Sequence, residues 1–358
     1  MTVEFIGMLA AQESSEIIAP RGPIIDPGFL RDFALAHEAG GFDRVLIGYF
    51  PGAADGFVIA QHVLSSTTRL GALLAHRPGF VAPTLAARKF ATLDQISGGR
   101  IAIHVITGGS DIDQRHDGDW TDKETRYRRT DEYVGLMRRI WTATEHFDHD
   151  GEFYRTRNSY SHVRCVQEPH IPVFFGGSSD DALEVSAKHA DTYALWGEPL
   201  ADAAEHIARV KRAAAVYGRD LRISLSLRPI LAATNDLAWA RARHILATIT
   251  ARTGGKTPPP PPNVGSQRLL AAAARGEVLD RCLFTPLAAV TGAPGNSTAL
   301  VGSPETVAEA MLDYADIGVD TFLIRGYEPY NDAIDYGRHL LPLVRAKVAA
   351  RRQSLATR

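Results

Sequence analysis

A chain of 358 residues with 45% hydrophobic content can bury a large core, enough for one barrel of ~250 residues with insertions or for two domains of ~150 residues each. Its 39 lysines and arginines against 41 aspartates and glutamates give a net charge of −2 with both signs interspersed, which leaves no basic arm or stripe of the kind that binds nucleic acid. No apolar run reaches the ~18 residues of a membrane span, MTVEFIGMLAAQ reads as a first strand and not as an export signal, and the two distant cysteines, Cys165 and Cys282, fit a reducing cytoplasm without a disulfide.

Eight short β-branched or apolar runs follow in order: Glu4–Leu9, Arg44–Gly48, Arg69–Ala75, Ile101–Thr107, Val173–Gly177, Thr192–Gly197, Ile223–Ala232 and Thr321–Gly326. Most lead through a loop into a segment of helical period, as in Pro27–Gly40, Pro83–Ser97 and Asp180–Ala190. Alternating strands and helices predict a parallel sheet, and eight repeats predict an α/β fold closed as a (β/α)8 TIM barrel, a single domain over residues 1–358.

Two insertions interrupt the alternation, at about 111–172 and 250–299. In the first, a charged loop leads into a helix with Tyr133, Leu136, Met137, Ile140 and Trp141 at apolar spacing, and HFDHDGEFYRTRNS places Asp-Gly between two strand arms. The second holds ARTGGKTPPPPPNVGSQ, whose five prolines exclude helix and central strand, so a loop is expected, either plainly exposed or serving as a lid over the barrel mouth before the last strand.

Candidate functional residues gather at the predicted C-terminal strand ends, where barrel enzymes build their sites. In PVFFGGSSDDA a strand runs through Gly176 and Gly177 into Ser178 and Ser179 and then a helix, which is either an anion site suited to phosphate or an ordinary turn capped by Ser179 or Asp180. His76 and Arg77 end an apolar strand and are expected to face the mouth, although Arg77 could equally meet a carboxylate such as Asp94. His104 sits within the alternation of IAIHVITGGSD, with Thr107, Gly108 and Gly109 placed for contact with a flat ring. Trp196, Arg228 and Tyr327 end three further strands; each could be structural, but together they could hold an anion and move a proton. No metal-ligand spacing, GxGxxG, GxxxxGK[ST] or GxSxG motif occurs.

The segments HRPGFVAPTLAARKFATLDQISGGR, ITGGSD, RYRRTDEY, PVFFGGSSDDA, YALWGEP, STALVGSPETVAEAM and GVDTFLIRGYE occur in one order along nearly the whole chain. In this the chain resembles the bacterial luciferase-like flavin monooxygenases, and within them the two-component alkanesulfonate monooxygenases. The resemblance implies a homo-oligomer that takes reduced FMN from an NAD(P)H-dependent flavin reductase and uses O2 to cleave an organosulfonate to an aldehyde and sulfite. It also implies that Tyr127, Ser178 and Ser179 contact the FMN phosphate beside Gly177, that His76, His104 and Thr107 flank the ring, and that Trp196 and Tyr327 lie near the reacting group. A cis peptide at Ala75–His76 is a further family expectation.

The departures are specific. Where the alkanesulfonate branch has a cysteine this chain has Ala54, its strand pattern Arg-x-His becomes Ser226-Leu227-Arg228, an arginine near the lid is replaced by Thr291, and Arg325 stands where serine is common. Arg77, Arg228 and Arg325 could therefore form a rebuilt anion pocket for a functionalised sulfonate such as a sulfosugar. A sulfone or another small heteroatom compound, a deazaflavin-dependent hydride transfer and a non-catalytic flavin-binding role are the alternatives.

Overall fold

The computed structural model describes residues 3–356 apart from 257, 260 and 261. The chain opens with β1 (Glu4–Leu9), α1 (Pro27–Ala39), β2 (Arg44–Ile47), α2 (Gly56–Ser66), β3 (Gly71–His76), α3 (Pro83–Ser97) and β4 (Ile101–Val105). The first insertion contributes α4 (Asp111–His116), α5 (Lys123–Thr142) and a hairpin of β5 (Phe147–Asp150) and β6 (Arg155–Ser159). The alternation resumes with β7 (Val173–Gly176), α6 (Asp180–His189), β8 (Thr192–Trp196), α7 (Leu200–Val216), β9 (Arg222–Leu231) and α8 (Asn235–Arg252). After α9 (Val264–Ala273), β10 (Val278–Leu279), β11 (Leu283–Phe284), α10 (Pro286–Thr291) and β12 (Ala299–Gly302), the fold ends with α11 (Pro304–Asp316), β13 (Thr321–Ile324), α12 (Pro329–Asp335), a π-helical turn (Tyr336–Leu340) and α13 (Leu341–Ala356).

Eight of these strands close into a parallel barrel in the order β1, β2, β3, β4, β7, β8, β9, β13 and back to β1. Helix starts are fixed locally: the side chains of Asp26, Asp55, Asp122, Ser179, Thr234 and Asn263 each accept from the N–H three residues on, satisfying a donor that the helix leaves open. Strand alternation then separates two cores. Ile6, Leu73, Ala102, Phe174 and Leu323 fill the barrel interior, while Phe5, Val45, Leu74, Ile103, Phe175, Leu225 and Phe322 pack outward under the helices.

β9 is longer than its neighbours because its C-terminal half also pairs with β12, from Ala299 opposite Arg228 to Gly302 opposite Leu231. The expected loop over 250–299 is thus only partly a loop. Two helices and three short strands form there, because Leu269, Ala272, Leu287, Ala288 and Ala293 supply enough apolar surface to be buried. Of the five prolines, Pro260 and Pro261 lie outside the described residues. The cis peptide bond among the described residues is Glu168–Pro169, so Ala75–His76 is trans.

Candidate functional site at the barrel mouth

Parallel strands place all their C-terminal ends at one end of the barrel. Register pairs carry the inner face upward: Ala75 lies opposite His104, His104 opposite Phe174, Trp196 opposite Ser226 and Ser226 opposite Leu323. Because side chains alternate, Arg77, His104, Trp196, Arg228 and Arg325 follow on that inner face above the apolar filling.

The turn after β7 has the build of an anion seat. Gly177 has φ 145°, and a Cβ there would come within 2.7 Å of the Ala182 Cβ, so only glycine brings the backbone this close to the helix start. The Tyr193 hydroxyl donates to the Gly177 carbonyl, Ser179 caps α6, and the Tyr127 hydroxyl is hydrogen-bonded to Ser179. Tyr127 also lies 3.6 Å from where a Gly177 Cβ would be, so Tyr127, Gly177, half-buried Ser178 and Ser179 come together. The Lys123 Nζ, 6.0 Å from the Tyr127 ring centre, adds a cation, and the Asp180 carboxylate in the first turn of α6 is paired with Arg209. A phosphate monoester fits this donor set.

His76 does not share the mouth. With Ala75 facing inward, His76 faces outward into the layer beneath the helices, where it shares a 2.7 Å hydrogen bond with the Tyr133 hydroxyl and packs edge-on against Phe57 and Phe90. Burial, aided by Lys89, pushes its pKa down to about 3, so the ring is neutral. Thr107 likewise turns toward α5, its hydroxyl donating to Thr130 Oγ1 at 3.3 Å. His104 does line the interior; burial lowers its pKa to about 4, and its Nδ1 has no partner among the described residues.

Two further side chains near β3 and β4 hold buried polar atoms that have no partner among the described residues. Arg77, 6% exposed, stacks its guanidinium 4.6 Å over the Tyr49 ring, while its Nε and one terminal nitrogen make no hydrogen bond. Burial lowers its pKa. Gln114 is fully buried with both amide atoms unpartnered, and its amide fills the space that a Gly108 Cβ would need, at 1.9 Å. Gly108 is therefore bare to admit Gln114, and not to seat a flat ring directly as the sequence suggested. Buried polar atoms are ordinarily paired with protein or ordered water, so this corner offers both donors and acceptors to water or to a ligand.

Across the mouth the charges are already engaged. Arg228, 3% exposed, donates to both oxygens of Glu16 at 2.8 and 3.0 Å and to the Gly326 carbonyl at 3.0 Å. Its guanidinium lies 3.4 Å from the Tyr327 ring centre. Arg325 donates to the same Glu16 at 2.5 Å. Burial alone would raise the Glu16 carboxyl, but Arg228 and then Arg325 hold it at about 2. The three arginines thus do not form one pocket: Arg228 and Arg325 share Glu16, whereas Arg77 belongs to Tyr49. Glu16 escaped the sequence reading because its partners are 212 and 309 residues away, a separation that no local pattern encodes. Tyr327 is 2% exposed with its ring beneath Arg228, in a place to position that arginine.

The second insertion covers this mouth. A Cβ on Gly265, at the start of α9, would come within 2.7 Å of the Trp196 ring, and Asn263 Cβ lies 3.9 Å from where a Gly109 Cβ would be. Arg268 of α9 is anchored to buried Glu198 at 2.7 and 2.5 Å. The segment therefore reaches from the end of β8 to the loop after β4.

A closed parallel barrel with a lidded mouth, an anion turn after β7 and unpartnered polar atoms beside it defines an enzyme of the TIM-barrel class. The luciferase-like monooxygenase profile matches residues 3–321, and the chain belongs to that family. Among solved structures it is similar to the riboflavin lyase RcaE with modified FMN and substrate riboflavin, at 20% identity and TM-score 0.81, over 97% of this chain and 92% of that one. It is also similar to the EDTA monooxygenase EmoA from Chelativorans sp. BNC1, at 16% identity and TM-score 0.81 over 97% and 94% of the two chains. The third likeness is to DmoA from Hyphomicrobium sulfonivorans, at 19% identity and TM-score 0.77 over 97% and 88%. At these identities the likenesses concern the fold. No described helix is long and apolar enough to cross a membrane.

Proposed function

We propose that this protein is a monooxygenase that uses reduced FMN and O2 to cleave the C–S bond of an organosulfonate, giving an aldehyde and sulfite. A sulfonate, reduced FMN and O2 give the aldehyde, sulfite, FMN, water and a proton, so the flavin supplies the two electrons that take one oxygen atom to water. Family membership and the turn at Gly177–Ser179 support the flavin. The observation that carries the substrate class is Arg325, whose Nε has no partner among the described residues and whose side chain is partly exposed at the mouth.

Tyr127, Ser178, Ser179 and the backbone at Gly177 would hold the phosphate, with Lys123 balancing its charge. His104, Arg77 and Gln114 would meet the polar edge of the ring, since their unpartnered atoms need donors and acceptors. When bound, reduced FMN supplies the oxygen-activating chemistry; the chain's own residues orient the substrate and keep water out. Trp196 beneath α9 closes the apolar side, and Tyr327 holds Arg228 in place. A separate NAD(P)H-dependent flavin reductase would supply the reduced flavin, in a cytoplasm that suits the free Cys165 and Cys282.

Purified protein, a flavin reductase, NADH, O2 and a panel of alkane- and sugar sulfonates should release sulfite in amounts matching the flavin reoxidised. Hydrogen peroxide alone, across the whole panel, would reject the substrate class.

A further inference from the structure

The two arginines that face the mouth from β9 and the end of β13 are not equivalent, and Glu16 makes the difference. Glu16 stands on the loop after β1, which is firmly placed: the Ser15 hydroxyl donates to the Tyr327 carbonyl at 2.6 Å, and Arg252 donates to the Glu16 carbonyl at 3.0 Å. Its carboxylate takes two hydrogen bonds from Arg228, which also donates to the Gly326 carbonyl and is covered by Tyr327. Among the described residues the Nε of Arg228 has no partner, and the residue is 3% exposed. Arg325 gives one terminal nitrogen to Glu16 and another, weakly, to Met8 Sδ at 3.6 Å, and among the described residues its Nε has no partner. Its side chain remains 23% exposed, against 3% for Arg228.

Two cations and one carboxylate leave a single positive charge, carried by the arginine that can still be reached. A bound anion with one charge would be neutralised, and a second negative charge would face Glu16 with no cation left to meet it. We propose that Glu16 is a specificity-determining residue of the substrate site: it commits Arg228 to the protein, leaves Arg325 to meet the substrate, and fits the mouth to singly charged anions over doubly charged anions of the same shape. This rests on the anionic-substrate reading above and adds the residue that selects among anions.

Methanesulfonate and methylphosphonate have nearly the same shape and differ by one charge above the second ionisation of the phosphonate. Calorimetric titration of the full chain at such a pH should show methanesulfonate bound more tightly, on the order of tenfold. Glu16→Gln should reverse that order, and Arg325→Gln should abolish binding of both. Because Glu16→Gln leaves Arg228 buried without its partner, the double variant Glu16→Gln/Arg228→Met is the control. It restores a net single charge and should restore the preference for methanesulfonate. Saturable binding with the same preference in Glu16→Gln as in the native chain overturns the role of Glu16 alone. Binding of neither anion to the native chain overturns the anionic-substrate reading together with it.

Discussion

Two arginines on the inner face of the same barrel meet opposite treatment. At the floor, Arg222 donates to Asp320, Glu4 and Thr321 at 3.1, 2.9 and 3.0 Å, and Glu4 also accepts from Arg44 at 3.0 Å. At the mouth, Arg77 is buried against Tyr49 with two of its nitrogens unpartnered, beside a fully buried Gln114 whose amide is equally unmatched. The floor network is complete within the chain and contributes to stability. The polar atoms of the mouth have no partner among the described residues, which leaves them to be completed by water or by a ligand.

The largest expected effect concerns acid. Burial lowers the pKa of His37 to about 4, of His76 to about 3 and of His104 to about 4. Each folded-state value lies below the ordinary 6.5, so the unfolded chain binds more protons as the pH drops. Stability is therefore full above about pH 6.5 and falls between there and about pH 4, by up to about 1.4 kcal/mol per pH unit for each histidine. Burial lowers the pKa of His170 and His189 as well; denaturant melts from pH 7 to pH 4.5 check this, and His104→Asn should reduce the slope while leaving the floor intact.

Next comes Glu4→Gln, which strands Arg44 and Arg222 and should cost roughly 3 kcal/mol in a urea melt, near the lower end for breaking an ion pair that is not fully buried. Smallest, and opposite in sign, is Arg77→Met. It loses the stacking on Tyr49 but no hydrogen bond to a described residue, and should stabilise the flavin-free chain by about 1 kcal/mol, a rise of about 2 °C in Tm, while weakening flavin binding. Equal destabilisation by the floor and mouth variants would erase the contrast between the two ends.

Most of the scaffold could be read from the sequence, because eight β-branched runs alternating with helical periods leave few other closures. The site was legible where its chemistry is local. Gly177, Ser178 and Ser179 lie within a single turn, and Tyr127 was placed by resemblance. It was illegible where one residue of register decides the face: His76 and Arg77 are adjacent, and β3 turns one outward and the other inward. The partners of Glu16 come from β9 and the end of β13, and the glycine that admits Gln114 looks in sequence like a ring platform. In the second insertion the proline run hid α9, although Leu269 and Ala272 already lie three residues apart and both are buried.

The flavin site is the claim on which the rest depends, and anaerobic titration with reduced FMN probes it without requiring a substrate. The native chain should bind one equivalent saturably. Gly177→Ala, which forces a Cβ into Ala182 at a φ suited to glycine, should weaken that binding by on the order of tenfold or more. No saturable binding by the native chain, or equal affinity in Gly177→Ala, would contradict the placement of the cofactor at the turn after β7.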